Sequence, residues 1–365
     1  MKRVCTNCGT ISSESSLWCE TRYCPSGTLT TLFDFGEYLG DLQIVRLLRV
    51  LPTAALYEAQ RGKQTVFLKV AHDGASDLIK REALVLQQAV GVTKDPKKAK
   101  PGALPMLLPA YPYTTPGEER PYGKTTVGND IKYYMVFNYV KGEFLRDMLI
   151  RNPQPWYQHA AWISIALAEA VGQVEHSGKL AVVIDPDAVL LRTDQAGVLR
   201  PMLLDLSLAS EPNAVNLAWI QQFAPPSYVA PELLEKGMVI GAGLDVYALG
   251  LIFYEMLAGQ PVFPYRLQKP DEIRTAVRAG ELKPLNRGDL AEDVIGIVMQ
   301  SVAKSPARRQ PDAAGFAKAL RSKFGEPPAE KRGGIQIDRQ FAAVLVFGLL
   351  ALVAWLVLAT VLANV

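Results

Sequence analysis

The chain has 365 residues, of which 49% are hydrophobic, so it can bury a large core and exceeds one small domain. Its 39 Lys and Arg against 36 Asp and Glu leave a formal charge of +3, a near balance that argues against a nucleic-acid partner. The N-terminus from Met1 to Cys8 is basic and polar and lacks the apolar stretch of a signal peptide, so we expect the N-terminal body to lie in the cytoplasm.

All four cysteines lie within the first 24 residues, as Cys5-x2-Cys8-x10-Cys19-x4-Cys24. Clustered thiolates form the soft, tetrahedral ligand set that a structural zinc ion prefers. The pattern resembles a zinc ribbon, although four residues stand between Cys19 and Cys24 where that family generally has two. We therefore predict a ribbon over residues 1–30 that binds zinc and needs the metal to fold. A redox pair or two disulfides is the alternative.

Two apolar runs in the first half have the composition of strands, Thr65–Val70 and Tyr133–Phe137. Between about residues 93 and 130 the chain is rich in Lys, Pro, Gly and Thr, apart from the apolar Met106–Leu108. That composition favours an insertion made of a loop, a short strand and a second loop.

Apolar residues recur at helical spacing in four segments of the later chain. These segments are Trp156–Val174, Leu244–Leu257, Ala291–Val302 and Ala313–Leu320. The sequence therefore predicts an α+β fold, with strands in the first half and mainly helices in the second.

The C-terminal part changes composition abruptly. Residues 323–340 include a polar, proline- and glycine-containing stretch that we interpret as a linker, and the 25 residues from Phe341 to Val365 contain no ionisable side chain. As a helix this run would be about 37 Å long, enough to cross a hydrocarbon core of about 30 Å. Basic residues precede the run and none follows it, which predicts a single-pass C-terminal membrane anchor with the body in the cytoplasm. A buried core helix is the alternative.

Several short motifs follow one another between Leu42 and Leu320, about three quarters of the chain. They are Val66-Phe67-Leu68-Lys69, Glu82 within Arg81–Leu84, Tyr228-Val229-Ala230-Pro231-Glu232, Asp245–Gly250 and Ala303–Arg309. Their residues and order resemble the bacterial serine/threonine protein kinases, with counterparts of the V-A-I-K and A-P-E motifs. The resemblance implies a two-lobed protein-kinase-like fold over residues 38–322, with an N-lobe of about 38–140 and a C-lobe of about 141–322.

The same resemblance implies two ion pairs. Lys69 should pair with Glu82, as in the family's nucleotide site, and Glu232 should pair with Arg309 inside the helical lobe. Asp205-Leu206-Ser207 stands where the family has D-F-G and keeps the carboxylate that could hold one magnesium ion. Each residue taken alone could be an ordinary surface charge, and it is their shared order that favours the family.

The hairpin that covers the ATP phosphates in this family has lost its glycines. Arg49, Leu51 and Ala54 stand at the three glycine positions, with Pro52 between them. Because only glycine lets the backbone come that close to a phosphate, the resemblance implies that the phosphate cradle is missing.

The catalytic loop has changed as well. Val183 stands at the position of the catalytic aspartate, Asp185 at the lysine and Ala188 at the magnesium-binding asparagine. Asp185 would face the γ-phosphate with a like charge, a repulsion of about 4 kcal/mol at about 4 Å and an effective dielectric of about 20. These losses weigh against binding of ATP and magnesium.

The sequence therefore favours a membrane-anchored pseudokinase that acts as a signalling scaffold or binding module for protein partners. No catalytic residue is expected, and Lys69, Glu82 and Asp205 are remnants, of which Lys69 and Asp205 would contact any nucleotide that binds. The alternative is a divergent active kinase that transfers the γ-phosphate of ATP to protein hydroxyls, with Asp185 or Asp187 as base in a shifted loop. A third possibility is a kinase-like body that only displays the ribbon near the membrane.

Overall fold

The computed structural model describes residues 2–5, 10–12, 16, 19–21, 24, 29–93, 102–112, 119–235, 237–263, 269–280, 282–285 and 287–330. Cys8 and the predicted membrane segment 341–365 lie outside this part of the chain. Within the described ranges, no helix combines the length and the apolar character needed to cross a bilayer.

The strands of the described residues lie mostly in the first half of the chain. They are β1 (Lys2–Cys5), β2 (Ile11–Ser12), β3 (Leu29–Leu32), β4 (Tyr38–Leu39), β5 (Leu42–Val50), β6 (Ala54–Arg61), β7 (Gln64–Ala71), β8 (Leu107–Leu108), β9 (Gly123–Val127), β10 (Asp130–Asn138), β11 (Glu143–Phe144), β12 (Val189–Thr193) and β13 (Leu199–Leu203).

The helices follow mainly in the second half. They are α1 (Ser76–Val90), α2 (Leu145–Arg151), α3 (Tyr157–His176), α4 (Leu217–Phe223), α5 (Gly243–Ala258), α6 (Pro270–Ala279), α7 (Glu292–Ser301) and α8 (Ala313–Phe324). Each segment predicted as a strand or helix that lies within the described residues forms that element, within a few residues at each end. The predicted membrane helix over residues 341–365 lies outside them.

The strands form three sheets. A small antiparallel sheet has the order β2-β1-β3, and the main sheet has the order β4-β5-β6-β7-β10-β8 with β9 paired to β10. In the main sheet, β7 lies between β6 and β10 and is buried from Val66 to Ala71, which explains its nearly continuous apolar sequence. The third sheet, β11-β12-β13, belongs to the C-terminal half.

The insertion between residues 93 and 130 contains more strand than predicted. The short strand expected at Met106–Leu108 is present as β8, but the second loop was a wrong prediction, because Gly123–Val127 forms β9 and pairs antiparallel with β10. Gly128, at a φ of 60°, lies in the two-residue turn between Val127 and Asp130. Gly-Asn between two strands is a hairpin signal, and it was outweighed by the surrounding polar composition.

The centre of the helical lobe is α5. Its residues from Leu244 to Leu257 are all buried, as expected for a helix that is apolar on every side. It ends at Gly259, whose left-handed φ of 76° closes the last turn with a hydrogen bond to the Glu255 carbonyl. This buried helix carries Asp245, which accepts hydrogen bonds from the amides of Ala181 and Val182, and Glu255, which pairs with Arg146.

The chain divides into two compact units. The first contains Met1–Thr193 and Gly197–Pro328, and therefore all the elements named above. The second contains Asp194–Ala196 and Ala329–Val365, and within it the Ala196 amide donates to the Asp194 carboxylate in a turn.

Candidate functional site

Lys69 lies at the centre of a buried ion cluster. Its Nζ donates to both carboxylate oxygens of Glu82 at 2.7 Å, to Asp205 Oδ1 at 2.8 Å and to the Leu204 carbonyl at 3.0 Å. Strand β7 supplies the lysine and helix α1 the glutamate, and both side chains are fully buried. The ion pair implied by the family resemblance is therefore present, and Asp205 joins it.

All the N–H donors of Lys69 already have acceptors within the protein. An ammonium has three N–H donors, and four acceptors of this chain already surround that of Lys69. Burial would lower its pKa, but Asp205 and Glu82 outweigh this and hold the pKa of Lys69 above its usual value. Burial also raises the pKa of the Glu82 carboxyl. A phosphate could bind Lys69 only by displacing one of these partners.

The β5–β6 hairpin, which corresponds to the hairpin that covers the ATP phosphates in the family, is fixed to the protein beneath it. Leu51 and Thr53 at its tip are each 1% exposed, and the Leu51 amide donates to the Ala54 carbonyl. His72 holds the tip, since its amide donates to the Thr53 carbonyl at 2.9 Å and its Nε2 lies 2.8 Å from the Leu51 carbonyl. Burial lowers the pKa of His72 to about 4, so the ring is neutral and donates from Nε2.

Arg49, at the first lost glycine position, connects the two lobes. Its guanidinium forms ion pairs with Asp147 on α2 and with Asp187, 3.2 Å away in the catalytic-loop region. It also lies 4.4 Å from the centre of the Phe144 ring, within cation–π range. A cation of the chain itself thus crosses the cleft on the side where the family's glycines face phosphates.

A second arginine continues this network inside the C-lobe. Arg146 donates to Asp187 at 3.1 Å, to Glu255 at 2.5 Å and to the Tyr228 hydroxyl at 2.5 Å, and lies 3.6 Å from Asp185. Burial, and then the neighbouring Asp187, raises the pKa of Asp185 to about 7, against the pull of Arg146. Both carboxylates proposed as alternative bases therefore face arginine.

The backbone of the catalytic-loop region is anchored by α5. Asp245 accepts hydrogen bonds from the amides of Ala181 at 2.9 Å and Val182 at 2.8 Å. Val182 has a φ of 72°, a strained conformation for a β-branched residue. Val183 follows it, at the position of the catalytic aspartate, and offers no group that accepts a proton. The two hydrogen bonds to Asp245 thus hold the loop in this strained conformation.

A small cavity borders the tip of the β5–β6 hairpin. It has a volume of about 20 Å³, room for about one water molecule. It is lined by the hairpin at Leu51–Thr53, by Val183 and Asp185 of the catalytic-loop region, and by Phe223 and Pro225 of the segment before the A-P-E-like motif. Elements of both lobes and this later segment therefore meet where a nucleotide would need space.

A large aromatic side chain occupies the position two residues before Lys69, where the V-A-I-K motif has alanine. Phe67 is 1% exposed, and its ring centre lies 4.8 Å from that of Tyr139. Leu56 on the neighbouring strand belongs to the same core cluster, which extends into the helical lobe. The sequence showed this substitution, but its consequence for the space beside Lys69 was missed.

The structural ion pair of the helical lobe is confirmed. Arg309 donates from its two terminal nitrogens to the two Glu232 oxygens at 2.6 and 2.9 Å, a bidentate geometry. The guanidinium also stacks on the Tyr247 ring at 4.5 Å and donates to the Gly243 carbonyl at 2.7 Å. The pair therefore ties the A-P-E-like motif to the start of α5.

Three of the four cysteines come together near the N-terminal sheet. One sulfur atom from each of Cys5, Cys19 and Cys24 lies within 4.8 Å of the others, and the Cys5 and Cys24 sulfurs are 3.5 Å apart. Sulfurs bound to one tetrahedral zinc at about 2.3 Å would be about 3.8 Å apart, so the three fit such an ion. Within the described residues this is the only such group of candidate ligands. Cys8, the fourth predicted ligand, lies outside them.

Comparison with known proteins identifies the family. The protein kinase domain family matches residues 124–322, more than half of the chain, and the chain belongs to that family. It is 26% identical over 198 residues to the serine/threonine-protein kinase PknB of Mycobacterium tuberculosis (strain ATCC 25618 / H37Rv), covering 53% of this chain and 31% of that protein.

Two further relatives show the same limits of coverage. The serine/threonine-protein kinase PknB of Mycobacterium leprae (strain TN) is 25% identical over 209 residues, 56% of this chain and 33% of the relative. The serine/threonine-protein kinase DCLK3 of Homo sapiens is 28% identical over 175 residues, 46% of this chain and 26% of the relative. The chain thus spans a third or less of the length of these curated relatives.

Proposed function

We propose that this protein is a pseudokinase that works as a binding or scaffold module for protein partners. The observation that carries the proposal is the occupied cleft: Arg49 bridges the lobes at a former glycine position, and Lys69 already has four acceptors. The missing acid–base residue at Val183 supports the same conclusion. Carboxylates of this chain already pair with Arg49 and Lys69. The two lobes therefore hold their arrangement without ATP.

The retained Lys69, Glu82 and Asp205 are the features that an active kinase would share. An active site would also need a base, and Asp187 is a weak candidate because it accepts hydrogen bonds from both Arg49 and Arg146. A substrate hydroxyl would have to displace one of these two arginines to reach the Asp187 carboxylate.

The experiment is thermal unfolding of the full-length protein with ATP, with and without magnesium, beside the variant Lys69→Met. A ligand at a hundredfold excess over its Kd would stabilise the folded state by about 2.7 kcal/mol. We expect no change of the midpoint in either protein. A magnesium-dependent increase that disappears in Lys69→Met would show that a nucleotide enters the cleft and would contradict the proposal.

We further propose that the N-terminal cysteines hold one structural zinc ion. The clustering of the Cys5, Cys19 and Cys24 sulfurs supports this, and Cys8 would complete the tetrahedral set. Purified protein should contain about one zinc per chain, and the double change Cys5→Ser, Cys8→Ser should release it. Zinc-free protein, with or without disulfides, would contradict this assignment.

We also propose that residues 341–365 anchor the protein in a membrane. The support is the sequence alone: 25 residues without an ionisable group, preceded by Lys331, Arg332 and Arg339. The intact chain should stay in the membrane pellet after alkaline carbonate extraction, and removal of residues 341–365 should make it soluble. Release of the intact chain by carbonate would contradict a spanning segment.

A further inference from the structure

Aromatic side chains collect on one surface at the start of α3. This aromatic face consists of Trp156, Tyr157, His159, Trp162 and Phe324. The ring centre of Trp156 lies 4.9 Å from that of His159 and 6.5 Å from that of Trp162, and the Tyr157 ring lies 6.1 Å from Phe324 at the end of α8. Trp156 is 50% exposed, and the other four are half-buried.

None of the five residues of this face belongs to the ion network around Lys69, Arg49 and Arg146 described above. Tyr157, Trp162 and Phe324 pack against the core and are partly exposed, whereas Trp156 is the most exposed of the five rings. Contiguous apolar patches on a protein surface mark sites of interaction with a partner or a membrane. Tryptophan, tyrosine and histidine each combine an apolar ring with a polar tip, which suits a boundary between water and an apolar phase.

The chain itself indicates which apolar phase this is. Helix α8 ends at Phe324, and only 16 residues, 325–340, separate it from the apolar run that begins at Phe341. A flexible linker of that length has a mean span of about 20–25 Å. The end of α8, and with it the aromatic face, therefore stays near any bilayer that holds the C-terminal run.

We infer that the aromatic face rests on the surface of the membrane, with Trp156 inserted at the level of the lipid headgroups. The inference rests on the proposed membrane anchor and adds an orientation to it. Aromatic side chains concentrate at this depth in membrane proteins, and surface-bound elements bury their apolar side about 5–10 Å into the boundary. The lobe would then be held in one orientation, with α3 beside the bilayer.

Intrinsic fluorescence can test the face and the anchor separately. The five tryptophans are Trp18, Trp156, Trp162, Trp219 and Trp355, and replacing all but one with phenylalanine gives full-length single-tryptophan chains. Trp355 lies two residues from the centre of the run 341–365 and reports the anchor. Trp156 reports the aromatic face. Trp219 on α4, whose ring lies against the guanidinium of Arg81 on α1, is the matched control.

Each chain is reconstituted in vesicles of phosphatidylcholine and phosphatidylglycerol that carry bromine near the headgroup or in mid-chain. We expect loss of Trp156 emission mainly with the shallow bromines, loss of Trp355 emission mainly with the deep ones, and unchanged Trp219 emission. If Trp355 is quenched and Trp156 is unaffected, the inference that the aromatic face contacts the membrane is refuted and the proposed anchor stands. Both unaffected would overturn both, whereas Trp156 quenched alone would support the face and refute the anchor.

A second measurement uses the otherwise unchanged chain, since multiple substitutions can impair folding. The single change Trp156→Phe, at an exposed position, should reduce the shallow component of quenching, and the half-buried Trp162 accounts for any remainder. A shallow component of the same size in Trp156→Phe as in the unchanged chain would overturn the inference. So would Trp156 emission that shifts with protein concentration but not with bromine, because the face would then bind a second copy of the chain.

Discussion

Replacing Arg49 tests whether a cation of the chain holds the two lobes together. The change Arg49→Met keeps most of the apolar stem and removes the guanidinium. The Arg49 side chain is 18% exposed, and it pairs with Asp147 and Asp187 and lies over Phe144. Hydrogen bonds to charged groups at a partly buried site contribute about 1.5–3 kcal/mol, and a cation–π contact adds about 0.5–1 kcal/mol. We therefore expect the free energy of unfolding to fall by about 2–3 kcal/mol.

Arg46 provides the matched control. It lies on the same strand, β5, but its side chain is 61% exposed and it pairs with Glu58 within the sheet. An exposed pair of this kind contributes about 0.2–1 kcal/mol, so Arg46→Met should have a small effect. Urea denaturation of both variants gives the two differences directly.

A double-mutant cycle of Arg49→Met with Asp147→Asn separates contact from general effects. Because the two groups are in contact, their effects should couple by at least about 0.5 kcal/mol. The coupling should weaken with salt, since the Asp147 side chain is 46% exposed. Equal losses for Arg49→Met and Arg46→Met, with additive effects in the cycle, would refute an interlobe role for Arg49.

Two further predictions concern the helical lobe. Removing one partner of the Glu232–Arg309 pair leaves a buried charge without its counter-ion, so Glu232→Gln should destabilise the protein by about 3–5 kcal/mol. A double-mutant cycle with Arg309→Met that gives full additivity would contradict their coupling. Burial, and then the neighbouring Asp245, raises the pKa of Glu175 to about 7. The folded state therefore holds this proton more tightly than the unfolded state, so stability falls as pH rises from about 4.5 through 7. Allowing for partial exposure, Glu175→Gln should reduce that fall by about 1–2 kcal/mol in urea titrations at pH 5 and pH 8, and an unchanged slope would exclude the contribution.

The sequence was informative wherever a residue belongs to an ordered motif. The sequence predicted the pairs Lys69–Glu82 and Glu232–Arg309, because the family resemblance indicates which elements bring these residues together. Helix α5 could be placed from its apolar periodicity alone, and its complete burial follows from its composition.

The contents of the cleft could not be predicted in the same way. Arg49 and Asp187 are 138 residues apart, and no local pattern indicates that they meet. Arg146 lies in an ordinary helical segment, and its contact with Glu255 spans 109 residues. The sequence showed which groups had been lost from the site, whereas only the fold shows which side chains of the chain replace them.

The most direct test of the pseudokinase account is phosphoryl transfer from radiolabelled ATP to generic protein substrates and to the protein itself. Loss of the base alone typically removes about 10²- to 10⁴-fold of rate, and loss of the phosphate and metal contacts should lower it further. We expect incorporation no higher than in an Asp205→Ala control. Robust incorporation that is lost in Asp205→Ala, and again in Asp185→Asn or Asp187→Asn, would contradict it and show an active kinase with a displaced base.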